Sequence, residues 1–185
     1  MLSNGVNLCI LSVAEGQDLF YNKAAITVKS SSSVYVKGGL KADGSASISN
    51  DGTVYIKNYS TAGNENWTNN VSAAMLSGTG TVVFNSSEPQ NIGGSDTTAF
   101  NNLTINNTSS TGVTLDTPIT VSSSLTLTDG ILYTDATNLL ILKDNAVSSS
   151  GSAASFIDGP MKKIGNDAFT FPLGDTAAWA RIGIS

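Results

Sequence analysis

Histidine is absent from this chain. That removes Ser-His-Asp and Cys-His nucleophilic sites, imidazole metal ligands and the commonest general base. Cys9 is the single cysteine, so neither a disulfide framework nor a thiolate metal cluster can form within the chain. Charged residues are 12%, against roughly 25% in ordinary soluble domains, although apolar content is a normal 40%. Between Asn58 and Leu142 there is no Lys or Arg at all, while Glu65, Glu88, Asp96, Asp116, Asp129 and Asp135 fall there. So anionic a section repels a phosphate backbone, which excludes nucleic acid as a partner. No apolar run approaches the roughly 20 residues of a membrane span, so no membrane insertion is expected.

Ser, Thr, Asn and Gly take the place of the missing charge. Thr suits an extended backbone, and Asn and Gly suit turns, whereas helix surfaces favour Glu, Lys, Arg and Ala. Apolar-x-apolar triplets recur: Ile26-Thr-Val28, Val34-Tyr-Val36, Val54-Tyr-Ile56, Leu103-Thr-Ile105, Val113-Thr-Leu115, Ile119-Thr-Val121, Leu125-Thr-Leu127 and Leu140-Ile-Leu142. Alternation this brief marks short strands with one buried face. It puts the apolar residues of the last five triplets inside, and Thr104, Thr114, Thr120 and Thr126 outside.

Ser33-Val-Tyr-Val-Lys37 and Thr53-Val-Tyr-Ile-Lys57 repeat at a spacing of 20 residues. Tiny strands at such a period predict an all-β parallel β-helix, or solenoid, over residues 18–155, with a β-sandwich as the alternative. Residues 1–17 read either as the remnant of a secretory leader or as a first strand. From Phe156 the strand patterns lengthen, and Pro160, Gly165, Pro172 and Gly174 punctuate them. This predicts an antiparallel β module over 156–185. The pattern stops at Ser185 in mid-strand, which is expected of a fragment of a longer chain.

Several runs resemble repeated segments of large secreted surface proteins of Bacteroidota. They are Gly80-Thr-Val-Val-Phe-Asn85, Gln90-Asn-Ile-Gly-Gly94, Phe100-Asn-Asn-Leu-Thr-Ile-Asn-Asn107, Leu125-Thr-Leu-Thr-Asp-Gly-Ile131, and Phe156-Ile-Asp-Gly-Pro-Met-Lys-Lys163 leading to Phe169-Thr-Phe-Pro-Leu-Gly-Asp175. The resemblance implies an exported, adhesin-like or stalk-like protein with a β-solenoid region, of a group often carried by the type IX secretion route. Asp96-Thr97 and Asp175-Thr176 resemble the O-glycosylation sequon of that group, which marks Thr97 and Thr176 as candidate glycosylation sites.

Parallel β-helices also host polysaccharide lyases and hydrolases, which cluster acids with basic side chains. Here Asp96, Asp116, Asp129, Asp135 and Asp144 stand in turn-like contexts, where Asp commonly caps its own backbone. Arg181 is the single arginine. No catalytic, cofactor-binding or metal-ligating set is therefore assigned. Trp67 and Trp179 are either sugar-stacking residues or anchors of a core or cap. The expectation is a non-catalytic structural or adhesive segment, extracellular or at the bacterial cell surface. Its partners are surface glycans or other extracellular proteins. The alternatives are a carbohydrate-active β-helix domain and a non-catalytic glycan-binding module.

Overall fold

The computed structural model describes residues 19–57, 66–176 and 178–185; the leader-or-strand segment 1–17, with Cys9, and Glu65 lie outside them. The protein is all-β, a parallel β-solenoid with a small antiparallel sheet, and no helix occurs among the described residues. Its first coil is β1 (Leu19–Asn22), β2 (Ala25–Val28) and β3 (Ser33–Val36). The second is β4 (Gly39–Ala42), β5 (Ser47–Asn50) and β6 (Thr53–Ile56), and the third is β7 (Trp67–Asn69), β8 (Leu76–Ser77) and β9 (Thr81–Phe84). Two coils with long strands follow: β10 (Gln90–Gly93) with β11 (Thr98–Asn106), and β12 (Val113–Leu115) with β13 (Ile119–Asp129). Then come β14 (Leu132–Tyr133), β15 (Leu140–Leu142) and β16 (Val147–Ser148), and after them β17 (Ile157–Asp158), β18 (Met161–Lys163) and β19 (Phe169–Phe171). The chain closes with β20 (Leu173–Asp175), β21 (Ala178–Trp179) and β22 (Ile182–Ile184).

Corresponding strands of successive coils pair in parallel. One face stacks β1, β4, β7, β10, β12, β14, β17 and β20, with β21 at its end. A second begins with β2, β5 and β8, and a third with β3, β6 and β9. β11 and β13 join the last two faces. Their register shifts between Phe100 and Asn102, and this irregularity lets one strand turn a corner and serve two sides. The first half of β13 carries β15 and then β18, while its second half meets β16.

In-register pairing turns the triplets into columns. On the third face Val34, Val54, Val82, Leu103 and Leu125 align, and beside them Val36, Ile56, Phe84, Ile105 and Leu127. The expected core residues Leu103, Ile105, Val113, Leu115, Ile119, Val121, Leu125, Leu127, Leu140 and Leu142 are all buried, and the four threonines between them point outward. The 20-residue repeat is the β3–β6 pair itself, with Val34 on Val54 and Tyr35 on Tyr55. Trp67, Phe84 and Phe100 meet inside at tilted and edge-on angles, and the Trp67 Nε1–H donates to Thr98 Oγ1 at 3.0 Å. Trp67 is thus a core anchor and not a sugar platform.

Polar groups at the corners tie the coils together. The side-chain oxygens of Asn50, Asn69 and Asn107 each accept the N–H two residues on, which closes a turn. Their amide groups then donate across coils, to Thr81 O, Thr97 O and Glu88 O respectively. Glycines must sit over these turns. At Gly94 φ is +122°, and a Cβ would lie 2.2 Å from the Asn69 carbonyl oxygen. Only glycine accepts both that dihedral and that approach.

The boundary expected at 156 is corrected. β17 pairs in parallel with β14, β18 with β15 and β20 with β17, so the solenoid continues through residues placed in a separate module. Antiparallel pairing is confined to β20–β21 and β19–β22. Pro160 lies immediately before β18 and Pro172 between β19 and β20. Both are corner positions that require no ladder N–H, so neither breaks the parallel stack.

Candidate functional site

The acids are the first place to look for chemistry, and the structure scatters them along the turns. Asp96 and Asp129 each accept the N–H of the next residue, Thr97 and Gly130. Asp135 accepts the N–H groups of Thr137 and Asn138 together with the Asn138 side-chain amide. The backbone N–H of Asn138, then that of Thr137, holds the Asp135 carboxyl below the ordinary 3.8. Asp116 accepts from the Asn91 amide at 2.7 Å. Among the described residues no group of three metal-ligating side chains forms.

A groove of about 330 Å³ opens near the last coils, lined by Val147, Ser148, Lys163, Asp167, Phe169 and Thr170 among others. Its charges are already committed. The Lys163 ammonium donates to Asp167 Oδ2 at 2.8 Å and to the carbonyls of Lys143 and Ile164. Three bonds use its three hydrogens, leaving none for a ligand. That pairing, chiefly the Lys163 hydrogen bond, also holds Asp167 below the usual carboxylate range.

The outer surface of the first coils is built differently. Residues 19–57 hold five lysines (Lys23, Lys29, Lys37, Lys41, Lys57) against Asp43 and Asp51, a local charge of 5 − 2 = +3 in a chain whose net charge is −5. Three tyrosines stand among them. Tyr21 donates to Asp43 Oδ2 at 2.9 Å, and the ammonium groups of Lys23 and Lys41 lie 4.8 and 5.8 Å from its ring centre. The Tyr21 hydroxyl, followed by the Gly44 N–H, lowers the Asp43 carboxyl below its ordinary value.

On the third face the strand register brings Tyr35 over Tyr55. Their rings are parallel within 4° at 4.7 Å between centres. Tyr35 is 57% exposed and Tyr55 is half-buried. Lys57 Nζ lies 5.9 Å from the Tyr55 ring centre and donates to Asn85 Oδ1 at 2.6 Å. In register with this row lie Val83, which is buried and interrupts the exposed surface, and then Thr104 and Thr126. A second outward row beside it runs Ser33, Thr53, Thr81, Asn102 and Ser124. The four outward threonines do not share one array: Thr104 and Thr126 are paired here, Thr114 lies in β12 and Thr120 in the first half of β13.

The remaining sequence candidates are dispersed. Thr97 is half-buried in the corner before β11, and its carbonyl takes the Asn69 amide at 2.7 Å. Thr176 is exposed with φ at +59°, and its hydroxyl donates to Asp175 Oδ1 at 2.9 Å. Trp179 is partly buried with Arg181 5.5 Å from its ring centre, at the opposite end from the tyrosines. The tyrosine stack was visible beforehand only as a repeat. Its signal was the shared Val-Tyr-(Val/Ile)-Lys pattern, which becomes a surface once the register is known. No protein-family model matches the chain, and no match is found among curated proteins or solved structures.

Proposed function

We propose that this chain is a non-catalytic structural or adhesive segment of a secreted bacterial cell-surface protein. The observation that carries the reading is the contrast between its acids and its outer strand faces. Asp96, Asp129 and Asp135 are occupied as turn caps, while the third face carries a row of hydroxyl and amide side chains, and two stacked phenols, held by the parallel strand register. A solenoid fixes such rows over many coils, because each coil takes its position from its neighbours. The partners that fit are surface glycans or extracellular proteins.

The test is an immobilised chain screened against a glycan array and a panel of extracellular proteins, with mass spectrometry of every retained glycan. Retention of one class with intact chains supports the reading. Cleavage of a polysaccharide into unsaturated or hydrolysed fragments overturns it in favour of a carbohydrate-active enzyme. Surface labelling of intact producing cells tests the compartment, and signal only after lysis contradicts it.

A further inference from the structure

We infer that the outer surface of β3 and β6 binds a short acidic oligosaccharide, held by Tyr35, Tyr55, Lys37 and Lys57. This deepens the adhesive reading and rests on it, naming one strip and one ligand class.

Three observations converge. The first is the aromatic pair: Tyr35 keeps more than half of its surface in water, and the parallel stack holds both phenol rings in fixed orientation. Each ring covers one face of the other, so the pair offers a sugar the outer face of Tyr35, the ring edges and the hydroxyl tips, at small entropic cost. The second is spacing. Neighbouring strands repeat every 4.7–4.9 Å or so, close to the length that one pyranose adds to an extended chain. The two tyrosine coils therefore match about two sugar units, and the strip ends at the third coil, where the equivalent residue is the buried Val83. The third is charge. Lys37 and Lys57 follow the two strands at matching positions, and no carboxylate occurs among the outward residues Ser33, Tyr35, Thr53, Tyr55 and Thr81. Among the described residues the Lys57 ammonium donates to the neutral Asn85 amide oxygen alone, which leaves donors for a ligand carboxylate.

The cationic stretch is short. From residue 66 to 142 the charged side chains are Glu88, Asp96, Asp116, Asp129 and Asp135, all negative. A long polyanion of any kind meets repulsion where it crosses onto those coils, so a short acidic oligosaccharide held on the first two coils fits the strip and a long nucleic acid does not.

Isothermal titration with trigalacturonate, cellotriose and oligothymidylate decides it. Trigalacturonate is expected to bind, more weakly as salt rises. Tyr35→Ala and the pair Lys37→Gln/Lys57→Gln are each expected to weaken it at least about tenfold. Tyr35→Phe restores binding and Lys162→Gln leaves it unchanged, with thermal unfolding confirming that every variant is folded. Absent trigalacturonate binding by the folded chain, an unchanged Tyr35→Ala, equal binding of cellotriose, or tighter binding of oligothymidylate each overturns the inference. If a glycan from the array is retained by both the parent chain and Tyr35→Ala, this strip is refuted and the adhesive reading stands. A chain that retains nothing from any panel loses both.

Discussion

Phe100, Leu103, Ile105 and Val121, in the central strands β11 and β13, are sealed from solvent, whereas Ile182 and Ile184 in the closing strand β22 keep half of their surface in water. The two regions use similar apolar residues, so composition does not make the difference. A central strand has a parallel neighbour on each side and an inner face closed by the other walls of the coil. β22 pairs only with β19 among the described strands, and all three of its residues are exposed. Burial in this fold depends on having a coil above and a coil below. The first described coil shows the same contrast: Ile26 and Val34 are half-buried, while Ile48 and Val54, paired with them in the next coil, are enclosed.

The largest test of that contrast is truncation on each side of it. Phe100→Ala removes a ring packed between Trp67 and Phe84 and should cost about 3–5 kcal/mol in denaturant unfolding. Ile184→Ala should cost no more than roughly 0.5 kcal/mol, as for an ordinary surface change. Equal losses would mean that the closing strands are as firmly built as the centre.

A smaller effect is expected from the backbone. Gly94→Ala forces a positive φ on alanine and pushes its Cβ into the Asn69 turn, for a cost of about 1–3 kcal/mol. Gly183→Ala meets nothing within 4 Å and should leave the unfolding midpoint within roughly 0.5 kcal/mol of the parent. A tolerated Gly94→Ala would show that the coils separate readily at that corner.

The smallest effect is acid sensitivity, which reaches both regions. Asp135 and Asp167 have carboxyls lowered in the folded state below 3.8. Their contribution is therefore fully present above the unfolded value and is lost as pH falls through the folded one. With no histidine to titrate, the thermal midpoint should be flat from pH 7 to about 5 and decline modestly below about 4. Asp135→Asn should remove part of that decline. A fall between pH 7 and 5 would point to other groups.

The triplets were legible because a short strand with one buried face writes its inward residues at every second position. That is why Leu103 and Ile105, or Leu140 and Leu142, were placed correctly from sequence alone. The repeat that carries Tyr35 and Tyr55 was legible for a related reason: the 20 residues from Ser33 to Thr53 make one coil, so the motif returns at the same place, although the stacking of the rings was not legible. What sequence did not reveal depended on corners. Ile119-Thr-Val121 and Leu125-Thr-Leu127 read as two strands but belong to β13, because a register irregularity bends one strand where a loop was expected. The longer apolar stretches after Phe156 read as an antiparallel meander, since nothing local tells a parallel strand from an antiparallel one. The neighbour that decides it lies about a coil away in the chain. The fate of Trp67 was likewise set by Phe84 and Phe100, which only stacking brings to it.

The ladder that joins one coil to the next has a mechanical meaning. Its hydrogen bonds run along the solenoid axis, so tension between the two ends of the stack loads them in line and coil by coil. It does not shear long strands past one another all at once. Each coil that detaches releases the chain wound within it. From Thr53 to its partner Thr81 that is 81 − 53 = 28 residues, which extend to as much as roughly 90–100 Å. The fold is in this sense a spooled line. It is short while intact, and under load it lengthens in increments set by the residue count of each turn.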